Sequence, residues 1–320
     1  MITLLADGRE STVEGMVVPY GATVLGWERK PHGWCRGDAC LPAFRAAAAE
    51  TEQGVDLAAF AGLLGRPVVA DAEEGVVAIG EPAGTALDVA PEFEELTRLR
   101  GRKVALVFWA SWCGCRYDLP AWDELHRELS DRGFSVLSVS LDREPADARE
   151  WLAGTDHPAV VDADGRIAEL YNVINVPTVV WVDEAGRVAR PQDTMTATDT
   201  FRSMNGLSSE RAVAALRRWV ADGEAGTTLR ELRAPSEDER LARLHARIAA
   251  WLLRSGRTAA AERHLETAAG LAPHDLAIRR GLLPLRGVDP FGEEYFALRE
   301  ELETAGIPIY RPLPDWQESA

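Results

Sequence analysis

The sequence predicts an α/β fold through its middle, a central sheet with helices on both faces. A small α+β unit precedes it and an all-helical region follows. Three observations carry this reading. Between residues 104 and 222, apolar runs of strand length alternate with stretches of helical spacing. Before residue 88, short strand-like runs mix with short amphipathic stretches, and after Ser236 only helical spacing remains. The expected domains are therefore 1–88, 89–224 and 236–320.

In the first unit, Gly15–Pro19 reads as a short strand and Pro42–Thr51 as an Ala-rich helix. A second amphipathic stretch, Asp56–Leu64, leads through Gly65-Arg66-Pro67 to a strand at Val68–Ala70. A polar turn at Asp71–Gly75 brings the chain back along Val76–Ile79, so this pair reads as a hairpin. Glu81–Gly84 reads as a linker. Val104–Trp109 is a continuous apolar run, the pattern of a strand buried on both faces. Helix Asp118–Arg132, strand Ser135–Leu141, helix Ala146–Leu152, strand Pro158–Val161 and helix Ile167–Tyr171 follow. Strands Thr178–Val182 and Arg187–Ala189 are joined by the turn Asp183–Gly186. Helix Ser208–Asp222 closes the unit, with Ser208 to cap it and Gly223 to end it. Residues 242–275 place small Ala249, Ala261 and Ala268 and large Leu252 and Leu265 at spacings similar to one tetratricopeptide (TPR-like) repeat, with Pro273 at its end. An ordinary helical hairpin fits equally well. One repeat cannot bury its own face, so this one is expected to pack on something else. Ile307–Pro314 is Pro-rich and reads as extended.

The chain has 320 residues, 46% hydrophobic and 27% charged, enough apolar material for two or three cores. Lys+Arg total 35 against Asp+Glu 51, a net charge of -16. That argues against nucleic acid and against an anionic membrane surface as partners. The first ten residues lack a basic n-region and an apolar h-region, and no run approaches the ~20 apolar residues of a membrane span. The expected location is cytoplasmic. Heavy Arg and Ala use, with Lys30 and Lys103 as the only lysines, fits a GC-rich bacterial genome. No phosphate-cradling Gly loop and no hydrolase nucleophile elbow occurs. His126, His157, His245, His264 and His274 are scattered and read as surface or structural residues.

The four cysteines form two tight pairs, Cys35/Cys40 and Cys113/Cys115. In a reducing compartment, close pairs are more often catalytic or metal-binding than structural. Cys113 follows a buried strand and precedes a helix. Free N–H groups and positive charge at a helix start stabilise a thiolate, and a second thiol beside it can resolve a mixed disulfide. Residues two apart on a helix point roughly 200° apart, so the backbone must bend for this pair to bond, a freedom Gly114 supplies. No histidine is near in sequence, and no metal is expected at this pair. The Gly-rich segment His32–Pro42 leaves Cys35 and Cys40 three roles: a redox relay, a metal corner with His32 or a stabilising thiol pair, and reduced structural thiols.

Several ordered motifs then point to one family. They are Ala90-Pro91-Glu92-Phe93, Trp112-Cys113-Gly114-Cys115 with Arg116, Asp118 and Pro120 behind it, Asn175-Val176-Pro177-Thr178, and Asp183–Arg187. Over roughly residues 90–222 the chain resembles the TlpA/ResA-like branch of the thioredoxin superfamily. The resemblance implies a thioredoxin fold with a mixed central sheet, a cis Val176–Pro177 bond, and no cofactor beyond a redox-active Cys113–Cys115 disulfide. Two departures stand out. The usual Cys-x-x-Cys is one residue shorter, similar to a ResA-like subgroup with a Trp-Ala-x-x-Sec-Gly-Cys motif, with Cys113 where the selenocysteine stands. Apolar Val107 replaces the family's polar residue in the preceding strand, which leaves Asp118 or bound water for proton transfer. The implied activity is thiol–disulfide oxidoreduction, with Cys113 attacking and Cys115 resolving. Trp112, Gly114, Val176 and Pro177 would border the substrate. Two rivals are a thiol peroxidase working through a Cys113 sulfenic acid, and a non-enzymatic redox-sensing adaptor whose helical C-terminal region binds a protein partner. The partners implied are a protein or small-molecule disulfide, or a peroxide, and a thiol electron donor.

Overall fold

A computed structural model describes every residue except 8, 83–88, 164, 172, 227–234 and 310–320. Part of the expected linker (residues 83 and 84) and most of the expected extended tail (310–314) lie outside the described residues. The chain divides into two compact units, each discontinuous. One is Met1–Thr85 with Ala234–Ala272, and the other is Ala86–Arg233 with Pro273–Ala320. The expected single C-terminal region 236–320 is thus corrected: it is split near residue 272.

The first unit begins β1 (Ile2–Ala6), β2 (Arg9–Val13), β3 (Val17–Val18), β4 (Glu28–Lys30), β5 (Gly33–Arg36), β6 (Ala39–Pro42), α1 (Ala43–Ala46), β7 (Val55–Asp56), α2 (Leu57–Leu63), β8 (Val68–Asp71) and β9 (Val76–Ile79). The expected β8–β9 hairpin forms and joins β1 and β2 in a sheet of order β2-β1-β9-β8. The α-helix expected over Pro42–Thr51 is a single turn, after which Ala48, Ala49 and Glu50 continue as tighter turns with bonds three residues back, and Thr51 closes a turn onto Gly54. β4, β5 and β6 form a separate small sheet, unforeseen in the sequence because its strands are only three or four residues long. Trp34 and Phe60 are fully buried at the centre of this unit's core, ring centroids 5.2 Å apart.

The second unit runs α3 (Glu94–Thr97), β10 (Lys103–Trp109), α4 (Leu119–Leu129), β11 (Phe134–Ser140), α5 (Pro145–Leu152), β12 (Ala159–Val161), α6 (Arg166–Leu170), β13 (Thr178–Val182), β14 (Val188–Asp193), α7 (Arg202–Asn205) and α8 (Ser209–Asp222). Its five-stranded sheet has the order β12-β11-β10-β13-β14. β10, β11 and β12 are parallel, while β13 is antiparallel to β10 and to β14, so the sheet is mixed. Side chains alternate along β10 as a strand requires. Val104, Leu106 and Phe108 join one core with Ala148, Ile167 and Tyr171 from α5, α6 and the residue after it. Ala105 and Val107 join the other with residues of α4 and α8. The continuous apolar run is thus explained by helices covering both faces. Ser208 occupies the N-cap of α8 but makes no capping hydrogen bond through its side chain, contrary to expectation, whereas Gly223 ends the helix with φ 86°.

Among the described residues, four α-helices follow: α9 (Glu237–Arg254), α10 (Thr258–Leu271), α11 (Leu276–Leu282) and α12 (Glu293–Thr304). α9 and α10 belong to the first unit. Ala249, Ala261 and Ala268 are fully buried between them, and Leu252 and Leu265 fill the same seam. Trp251 Nε1 donates to Glu10 Oε1 at 3.0 Å, and His264 Nε2 lies 3.1 Å from Asp71 Oδ2. α11 and α12 belong to the second unit, where Leu276, Leu283, Tyr295, Leu298 and Leu302 form a core that Met204 joins. α11 approaches so closely that a Cβ on Gly281 would sit 2.3 Å from the Ile174 carbonyl oxygen, so only glycine fits there.

Candidate active site

β10 delivers the chain to Ala110, and Cys113 follows with extended dihedrals (φ −98°, ψ 141°). The helix expected from Asp118 begins at Leu119, with Asp118 as its N-cap. Gly114–Asp118 is a 3₁₀ turn, and α4 has Pro120 in its first turn. Cys113 therefore caps a 3₁₀ turn that runs directly into α4. Cys113 Sγ accepts from the Cys115 backbone N–H of that turn at 3.4 Å and lies 3.7 Å from the Val176 carbonyl oxygen. Both cysteines are free thiols and both are buried.

Gly114 does not have a positive φ, so its expected conformational role is not what this turn uses. Its need is space: a Cβ there would lie 2.5 Å from Cζ of Phe201. The Val176–Pro177 bond is cis, as the resemblance implied. Val176 is fully buried, and Trp112 is half-buried against the same core. Val107 is buried in the opposite core and offers no proton acceptor. Asp118 is buried too, and both of its carboxylate oxygens are bonded to one segment. Oδ2 accepts from the Ala197 N–H at 2.9 Å and Oδ1 from the Thr198 hydroxyl. Burial pushes its carboxyl above the ordinary value, and these bonds only partly offset that. Among the described hydrogen bonds, none joins Asp118 to either sulfur.

One residue of the site was not anticipated. Arg280 of α11 is 2% exposed, and its guanidinium reaches the cysteine. Nη2 is 3.7 Å from Cys113 Sγ, Nη1 donates to the Val176 carbonyl at 3.0 Å, and Nε donates to the Pro290 carbonyl at 2.8 Å. Its carbon lies 4.5 Å from the Tyr295 ring centroid and 6.0 Å from that of Trp112. A signal existed in the sequence. Leu276, Arg280 and Leu283 fall on one helix face, and a charge on an apolar stripe is buried only when paired.

These neighbours drive the two sulfurs apart. Burial pushes the Cys113 thiol up, but the Cys115 thiol, the Arg280 charge and the Cys115 N–H outweigh it and bring it down from 9.0 to about 6. Burial and the adjacent Cys113 push the Cys115 thiol well above its ordinary value. Near neutral pH the pair thus holds one thiolate beside one thiol.

Cys35 and Cys40 stand directly opposite each other on β5 and β6 and are joined in a disulfide. His32 Nε2 lies 3.3 Å from Cys35 Sγ and 3.6 Å from Cys40 Sγ. The three side chains have the grouping of a metal corner. With the sulfurs bonded to each other, the thiolates a metal would need are not available. The reading as reduced structural thiols does not describe this state. Of the scattered histidines, His157 is buried between Asp123 and Ser138, and His245 meets His264 at 2.8 Å, so these are structural. Among the described residues, no helix is long and apolar enough to cross a membrane.

Residues 85–190 match the model of the AhpC/TSA family. The chain is similar to the thiol-disulfide oxidoreductase ResA of Geobacillus kaustophilus, 30% identical over 142 residues that cover 42% of this chain and 81% of that protein. It is 33% identical to the thioredoxin-like protein YneN of Bacillus subtilis over 119 residues, 35% of this chain and 67% of that protein. The ResA of Oceanobacillus iheyensis is 27% identical over 117 residues, and the chain spans 61% of its length. Among solved structures, a putative thiol:disulfide interchange protein DsbE from Chlorobium tepidum aligns with 32% identity and a TM-score of 0.33, covering 34% of this chain and 85% of that one. With the paired cysteines after β10, the cis proline beside them and these relatives, the chain belongs to the TlpA/ResA-like branch of the thioredoxin superfamily.

Proposed function

We propose that this protein is a thiol–disulfide oxidoreductase with Cys113 as nucleophile and Cys115 as resolving thiol. The observation that carries the reading is the unbonded pair beside a cation: Cys113 Sγ accepts from the Cys115 N–H at 3.4 Å and lies 3.7 Å from Arg280 Nη2, which favours its thiolate, while Cys115 is pushed up. The Cys113 thiolate attacks one sulfur of a substrate disulfide, forms a mixed disulfide and expels the other sulfur as thiolate. Cys115 then gives up its proton to that leaving thiolate or to water and attacks Cys113 Sγ. The second substrate sulfur leaves, and two electrons have passed to the substrate. The resulting Cys113–Cys115 disulfide is reduced again by an external thiol donor. Trp112 and the Val176–Pro177 turn border the approach to Cys113. Asp118 accepts from Ala197 and Thr198 and holds that segment beside the turn.

A second reading is favoured by the burial of Cys113, which is 3% exposed. A hydroperoxide is small enough for an enclosed sulfur. It would oxidise the thiolate to a sulfenic acid and leave as an alcohol, and Cys115 would condense with the sulfenic acid to release water. The test is to incubate Cys115→Ser with candidate disulfide substrates and with hydroperoxide. Mixed disulfide accumulating on Cys113 supports the first reading, and sulfenic acid formed with peroxide alone supports the second. If neither adduct forms on Cys113, the redox assignment is wrong.

A further inference from the structure

We propose that Arg280 is a catalytic residue: its guanidinium, carried by α11, is the fixed cation against which the Cys113 thiolate forms and from which it attacks. The inference rests on the reading of Cys113 as nucleophile and adds a residue that lies far from the cysteines in sequence.

The geometry specifies the role. A guanidinium stays protonated at any working pH and presents its donors in a rigid fork. Here one arm lies 3.7 Å from Cys113 Sγ while the other is tied to the Val176 carbonyl at 3.0 Å. The Nε bond to Pro290 at 2.8 Å and the Tyr295 ring at 4.5 Å hold the fork from behind. At 2% exposure the charge is little screened by solvent, so it acts on the sulfur at far more than its strength in water. Gly281, the next residue, is where α11 touches the Ile174 backbone, which fixes the distance of the helix from the Val176–Pro177 turn.

Among the described residues, two titratable or charged groups act on the sulfur. The Cys115 thiol faces it from the same turn and Arg280 faces it from α11, while Tyr295 of α12 faces Arg280. The 3₁₀ turn after Cys113 adds a backbone donor to the sulfur, the Cys115 N–H at 3.4 Å. The redoxin-like part of the chain supplies both sulfurs, and the C-terminal segment supplies the charge.

The test uses the full-length reduced protein. Thiolate absorbance near 240 nm is followed against pH, with Cys113→Ser as the blank. Wild type is expected to titrate with a midpoint near 6. In Arg280→Met and Arg280→Gln the midpoint should rise toward the ordinary thiol range, lowering the thiolate fraction at pH 7 by about tenfold. Arg280→Lys should recover most of that loss. If α11 merely covers the sulfur, the neutral variants will alkylate faster with an unmoved midpoint, and that result overturns the proposal. Either neutral variant decides the matter if the other fails to fold, and a thermal melt identifies such a failure. A wild type with no titration below pH 8 would instead refute the nucleophile reading itself.

Discussion

The two cysteine pairs differ in almost every physical respect. Cys35 and Cys40 face each other across a short hairpin, are bonded, and have a histidine against both sulfurs, with Cys40 and His32 exposed. Cys113 and Cys115 flank one glycine in a 3₁₀ turn, are unbonded and buried, and have an arginine against one sulfur. The close spacing that marks both as candidates in the sequence does not separate them. What separates them is the backbone each sits on. Cross-strand register holds two sulfurs together, whereas a tight turn under a buried cation gives them unequal acidity.

The largest expected effect is on turnover. Cys113→Ser should lower disulfide reduction more than about a hundredfold, as loss of a nucleophile does. Replacing Cys35 and Cys40 together by Ser should leave it within about twofold. An insulin-reduction assay with a dithiol donor reads both, and equal losses would break the contrast. The next effect is on pH dependence. With the Cys113 thiol at about 6, its alkylation rate by iodoacetamide should fall about tenfold between pH 7 and pH 5, while Cys115 stays unreactive throughout. The same displacement makes a stability claim with a definite sign. The folded value is depressed, so the Cys113 contribution is complete above the unfolded thiol's roughly 8.5 and is lost as pH falls through about 6. Thermal melts of the reduced protein should show that decline, and Cys113→Ser should flatten it.

A smaller effect belongs to the other pair. For so short a closed loop the chain-entropy model gives about 2 kcal/mol, so Cys40→Ser should lower the first unit's stability by about that much in a urea titration. The Cys113 titration should not move. The smallest expected change comes from Gly114→Ala, which drives a methyl into the Phe201 ring and should cost about 1 kcal/mol. Phe201→Ala should absorb most of that cost, and a cost unchanged in the double variant would mean the backbone at 114 is at fault.

The mixed sheet was legible because its strands are apolar runs of the right length and its turns carry Gly and Asp, as at Asp183–Gly186. The helical pair α9–α10 was legible from its small residues. The β4–β6 sheet was not, since Glu28–Lys30 is fully exposed and carries no alternation. Cys113, Cys115, Val176 and Pro177 were readable because their chemistry is local or motif-bound. Arg280 and Phe201 were not, because each reaches the cysteine segment only through tertiary packing. Arg280 carried a faint mark as a charge on an apolar helix face, and Phe201 carried none.

The chain passes from one unit to the other and back before it ends, since residues 234–272 and 273–320 belong to different units. During synthesis, a ribosome that has made 272 residues has already released the strands of the mixed sheet and both of its sulfurs, but not the helix bearing Arg280. The contact of Arg280 with Cys113 joins positions 167 apart along the chain, a long closure that costs a folding protein entropy. A fragment cut after α8 would keep the look of the family and lack the charge that sets its sulfur apart.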